Sequence, residues 1–162
     1  MLQYDQVFDM MNRHAVRAVL IGGLNFFLRY EPIATRDIDL FIDDAKLNLQ
    51  HCERALAELN ASWGRDDADW CQVSLKPAGW LGRQAVHCLL CDAGELDLFT
   101  KVPGLGDFAS VYERAEDCRT RAGTAFKSLS RHDMLACQLA LPESSRRVER
   151  VAYLRSLGDS DV

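Results

Sequence analysis

Asp37 and Asp39 stand one residue apart in the stretch TRDIDLFID, residues 35–43. The run otherwise reads as a buried strand. Side chains alternate along a strand, so the two carboxylates project from one face, and Ile38, Leu40 and Ile42 from the other. Like charges about 7 Å apart on one face repel unless a cation bridges them. A hard cation with oxygen ligands, such as Mg²⁺, is the natural bridge. Taken alone, Asp-x-Asp also fits the solvated face of an edge strand. The context narrows this choice. ELDLF, residues 95–99, is a second strand with Glu95 and Asp97 on one face and Leu96 and Leu98 on the other. Glu95 lies nearer a turn, so Asp97 is the better third ligand. Asp37, Asp39 and Asp97 are the predicted metal ligands.

LIGG, residues 20–23, precedes this pair. Glycine lets backbone come close to a ligand, and the start of a following helix offers free N–H groups and a positive dipole end. Gly22 and Gly23 are the predicted phosphate-binding turn.

These residues need elements to hold them. A short amphipathic helix is expected over residues 2–13, a strand over 15–23, a short helix over 24–30 ended by Glu31-Pro32, and a strand over 36–43. The clearest helix covers 44–60, with Asp44 placed to cap it. WCQVSLK is a candidate strand. AVHCLLC and GELDLFTKV are two strands joined by a turn at 92–94. A helix over 108–116, a strand near Ala125, Phe126 and Leu129, a helix over 131–141 capped by Ser130, and a last surface helix over 143–157 complete the reading. The fold class is α+β, a mixed sheet flanked by helices, in one domain over 1–162 with its core in 1–141.

Composition sets outer bounds. The chain has 162 residues, 48% hydrophobic and 27% charged, enough for a core without staples. A net charge of −5 argues against bulk attraction to nucleic acid. No apolar run reaches membrane-helix length and the N-terminus lacks signal-peptide character, so a cytoplasmic location without membrane partners is expected. Six cysteines are too few for a disulfide scaffold. Cys88 and Cys91 form a C-x-x-C inside a strand, where they point to opposite faces and cannot share a metal. They are read as packing residues, and His87 as a strand residue. Trp63, Trp70 and Trp80 are read as packing rather than base-stacking residues.

Taken together, LIGG, TRDIDLF and ELDLF resemble the nucleotidyltransferase superfamily of the DNA polymerase β type: strand, double glycine, short helix, two carboxylates, later a third. The form is similar to small bacterial members, including toxin–antitoxin and abortive-infection nucleotidyltransferases. The resemblance implies two Mg²⁺ ions on Asp37, Asp39 and Asp97, and a nucleoside triphosphate (NTP) as substrate. Nucleotide contacts would come from Gly22, Gly23, Thr35 and Arg36, with Asp97 assisting as general base. It implies transfer of a nucleoside monophosphate to RNA such as tRNA, to a protein or to a small molecule, and an antitoxin-like partner. The chain departs from the pattern at Ile33, where an Arg is common, and lacks the late-helix Lys that reaches the triphosphate; Cys137 and Gln138 occupy that region. Lys127, Arg131, Arg146 and Arg147 are the substitutes considered, each read first as a surface charge. The departure leaves a second reading, a catalytically degenerate binding or regulatory protein with the same fold.

Overall fold

Hydrophobic alternation in the strands builds a sheet with a core on each side. The computed structural model describes residues 2–158. Among them are eight strands and six helices. In chain order these are α1 (Tyr4–Arg13), β1 (Ala18–Ile21), α2 (Gly22–Arg29), β2 (Asp37–Ile42), α3 (Lys46–Glu58), β3 (Ser62–Trp63) and β4 (Cys71–Gln72). Then follow β5 (Val86–Cys91), β6 (Gly94–Phe99), α4 (Phe108–Arg114), β7 (Glu116–Arg119), β8 (Ala125–Ser128), α5 (Arg131–Ala140) and α6 (Val148–Ser156). The strands form one mixed sheet in the order β4-β3-β5-β6-β2-β1-β8-β7. β2 runs parallel to β6, and β1 parallel to β8.

Ile38, Leu40 and Ile42 of β2 and Leu96 and Leu98 of β6 face a core closed by Val7, Phe8 and Met11 of α1 and Cys52, Ala55 and Leu56 of α3. The opposite face buries Val19, Ile21 and Phe41 against Phe26, Phe108, Val111, Met134 and Leu154. This second core covers only part of its face. Phe41 is buried within it, while Asp39 and Asp37, further toward the start of the strand, emerge beyond it.

Several expectations shift. The first strand stops at Ile21, and both glycines belong to α2 rather than to the strand end. Asp44 does not cap α3, which starts at Lys46 behind an uncapped Ala45; Asp43 Oδ1 accepts from the Ala45 N–H instead. WCQVSLK is strand only at its start and then turns into a 3₁₀ segment over Val73–Leu75. The helix expected over 143–157 divides into a 3₁₀ turn, Glu143–Ser145, and α6. Ser130 does cap α5: its Oγ accepts from the Asp133 N–H at 3.1 Å. Asp133 is itself buried and takes the Arg114 guanidinium in a two-pronged contact at 3.0 Å, which fixes α5 against α4.

Candidate active site

Strand register assembles the acidic cluster. Ile21 pairs with Asp39, Asp39 with Asp97, and Asp97 with Cys88, one row across four strands. Asp37 pairs with Glu95 in the next row on the same face. One carboxylate oxygen from each of Asp37, Asp39 and Asp97 lies within 4.8 Å of the others. The three residues named from alternation are therefore brought together. Crowding has a measurable consequence. The Asp39 carboxyl is pushed up to about 7, first by burial and then by the charges of Asp37 and Asp97. Asp97 is also raised, mainly by burial. Three oxygen donors that repel one another fit a hard divalent cation, whose charge would relieve what burial and repulsion cost.

Gly22 and Gly23 open α2 directly beside this cluster. Gly22 has φ +72°, and a Cβ there would collide with Asp39 Oδ2. Only glycine gives both the left-handed backbone and the space. Ile21 at the N-cap of α2 makes no side-chain capping bond, so the first N–H groups remain available to an anion. A Cβ on Gly23 would sit 3.2 Å from Arg150 Nη2 and 3.4 Å from Thr35 Oγ1. Gly22, Gly23 and Thr35 thus lie at one end of the site. Arg36 sits at the edge of the cluster and points to solvent: its guanidinium is exposed and pairs at 3.8 Å with Glu95, the register partner of Asp37.

Arg150 is the site residue the sequence did not disclose. It comes from α6, where Val151 and Leu154 are buried and Tyr153 packs edge-on against Phe26 at 5.6 Å. This docking on α2 carries the Arg150 guanidinium over the Phe26 ring at 5.8 Å and into electrostatic contact with Asp39. Of the four cations considered as substitutes, Lys127, Arg131 and Arg146 are engaged elsewhere. Lys127 pairs with Asp117 at 3.0 Å, Arg131 with the Gly158 carbonyl, and Arg146 with the carbonyls of Leu139 and Leu141. Arg147 is the N-cap of α6; its backbone N–H donates to Gln138 Oε1 at 2.8 Å, and its charge lies near enough to act on Arg150. Arg150 stands between Glu149 and Val151 in a segment that mixes charged and apolar residues, so the sequence marks it only as part of a surface helix.

A cavity of about 370 Å³ adjoins the cluster between the sheet and α5–α6. Asp39, Gly22 and Arg150 line it together with apolar side chains from Ile21, Phe99, Leu129 and Met134. On the other flank, Cys88 stands mostly exposed beside Asp97, rather than packed, and its partly covered thiol is pushed up to about 11, first by that partial desolvation and then by the neighbouring carboxylates. Cys91 lies on the opposite face, as its spacing requires. Trp63 and Trp80 are buried and stacked at 5.5 Å, and Trp70 is largely exposed.

The sequence matches no family model, and no curated protein matches it. The fold does have counterparts among solved structures. A Thermotoga maritima protein described as a candidate nucleotidyltransferase superposes with a TM-score of 0.56 at 18% identity, over 97% of this chain and 94% of that one. The lincosamide antibiotic adenylyltransferase LnuA, in a lincomycin-bound structure, superposes with a TM-score of 0.61 at 15% identity, over 97% of this chain and 99% of that one. At such identities the likeness speaks for architecture alone: the mixed sheet flanked by helices is the nucleotidyltransferase fold.

Proposed function

We propose that the protein transfers a nucleoside monophosphate from an NTP to an acceptor hydroxyl, as a single nucleotidyltransferase-like domain over 1–162. The observation that carries this is the convergence of Asp37, Asp39 and Asp97 beside the uncapped start of α2 and Arg150. The carboxylates would hold two Mg²⁺ ions. When bound, such ions neutralise phosphate charge and align an in-line displacement that releases pyrophosphate.

The chain's own residues do the rest. The α2 N–H groups, Gly22, Gly23 and Thr35 receive the triphosphate, and Arg150 supplies a fixed positive charge there. The adjoining cavity takes the nucleoside. Asp97, on the open flank of the cluster, accepts the acceptor hydroxyl's proton. Arg36 is held only by an exposed ion pair, worth little in water, and can move from Glu95 to a phosphate oxygen.

Arg150 answers the departure that motivated a catalytically silent binding protein, since it provides a cation where no late lysine exists. LnuA, of the same fold, was captured with lincomycin. That favours a small-molecule hydroxyl as acceptor, and the net charge of −5 disfavours RNA. The test uses α-labelled NTPs with Mg²⁺ and three acceptor pools: small-molecule extract, RNA including tRNA, and protein with any co-purifying antitoxin-like partner. Label should pass to one pool, and Asp39→Asn should abolish it. Transfer that survives Asp39→Asn would reject the site.

A further inference from the structure

On the reading above, the cavity between the sheet and α5–α6 seats the nucleoside, so its walls decide how one base is told from another. Those walls are mostly apolar. Two polar residues, Asp39 and Arg150, are committed to the cation and the phosphates. Cys137 has its thiol pushed up to about 12 by burial, so it stays neutral and hydrogen-bonds weakly. That leaves Gln138 as the neutral hydrogen-bonding group of the cavity.

Its orientation is set by the protein. Gln138 Oε1 accepts the Arg147 N–H at 2.8 Å. Only the amide oxygen can accept an N–H, so the two ends of this amide are assigned by chemistry. The Nε2 group is left with no protein partner among the described residues. We propose that Gln138 reads the nucleobase, its Nε2 donating to a ring nitrogen or carbonyl oxygen, and that this one contact sets a weak base preference. Apolar walls separate ligands of similar shape poorly, whereas a polar group left unpaired is penalised. A pocket with a single neutral amide therefore ranks the four bases without excluding any.

The test is calorimetric titration of the full chain with Mg²⁺ and each of the four nucleoside α,β-methylene triphosphates. For the wild type, the four Kd values should fall within about a hundredfold of one another. Gln138→Glu keeps an oxygen for the Arg147 N–H but turns the unpartnered amide donor into an acceptor. Its added charge weakens all four ligands alike, so the readout is their ratio. The ratio of best to worst nucleotide should change by about tenfold, one hydrogen bond's worth. Gln138→Met, checked for folding by circular dichroism, should flatten the preference. Wild-type ratios in both variants, or a wild type that prefers one base more than about a thousandfold, would overturn the role of Gln138 and leave the nucleotide reading standing. Failure of the wild type to bind any of the four at millimolar concentration would overturn the nucleotide reading itself.

Discussion

Asp39 is the carboxylate on which burial, two acidic neighbours and Arg150 all act at once. Its pKa near 7 means that a proton and a metal ion compete for the same oxygen at neutral pH. Because the proton must leave first, apparent Mn²⁺ affinity should rise as pH increases toward about 7 and flatten above it; titration followed by electron paramagnetic resonance reads this. The slope should shrink, along with most of the affinity, in Asp39→Asn. Gly22→Ala forces a Cβ onto Asp39 Oδ2 at a left-handed φ, at a cost of about 1–3 kcal/mol. It should lower the melting temperature and displace the carboxylate, so metal affinity falls even where the protein stays folded. Arg150→Ala removes a charge-assisted contact of about 2 kcal/mol, so affinity for a triphosphate should drop about thirtyfold with metal affinity largely kept. The three aspartates were legible because strand alternation fixes their face from sequence alone. Arg150 was not, because its role depends on where a separate helix docks.

α6 shows at the scale of elements why that docking escaped the sequence. Its charged surface and short apolar stripe read as a covering helix, yet Tyr153, Val151 and Leu154 clamp it to α2 and the second core. The small strands escaped for another reason. β3 has two residues and β7 reads EDCR, so neither offers an alternation to detect; they exist because β5 and β8 present partners. The lobe beside β3 holds a second testable feature. His87 is buried between Trp63 and Trp80, its Nε2 without a partner. Burial lowers it from 6.5 to about 4. The folded state thus binds fewer protons than the unfolded chain between these values. His87 is neutral at no cost above about pH 6.5; its contribution to stability falls as pH drops toward 4 and is constant below. Denaturant unfolding at pH 7 and pH 4 should show wild type losing about 3 kcal/mol more than His87→Phe over this range. Equal losses would mean that the ring is hydrated or partnered in solution.

The whole molecule places its chemistry at the boundary between a covered and an uncovered part of one sheet face. Phe41 and Ile21 lie under the second core, while Asp39, Asp97 and Asp37 emerge at its margin next to the opening of α2. The α+β class followed from the pattern of apolar runs; the strand order β5-β6-β2-β1 at the centre of the sheet was not read from it. The cavity did not, because it forms between segments more than a hundred residues apart, Gly22 and Gln138 among them. Everything proposed about activity depends on the three carboxylates binding divalent cations at this margin. The direct measurement is anomalous diffraction from crystals grown with Mn²⁺ and a non-hydrolysable triphosphate. The account predicts manganese peaks bonded to oxygens of Asp37, Asp39 and Asp97, with the triphosphate running toward Gly22, Gly23 and Arg150. Well-ordered carboxylates with no manganese between them, or nucleotide bound away from α2, would contradict it.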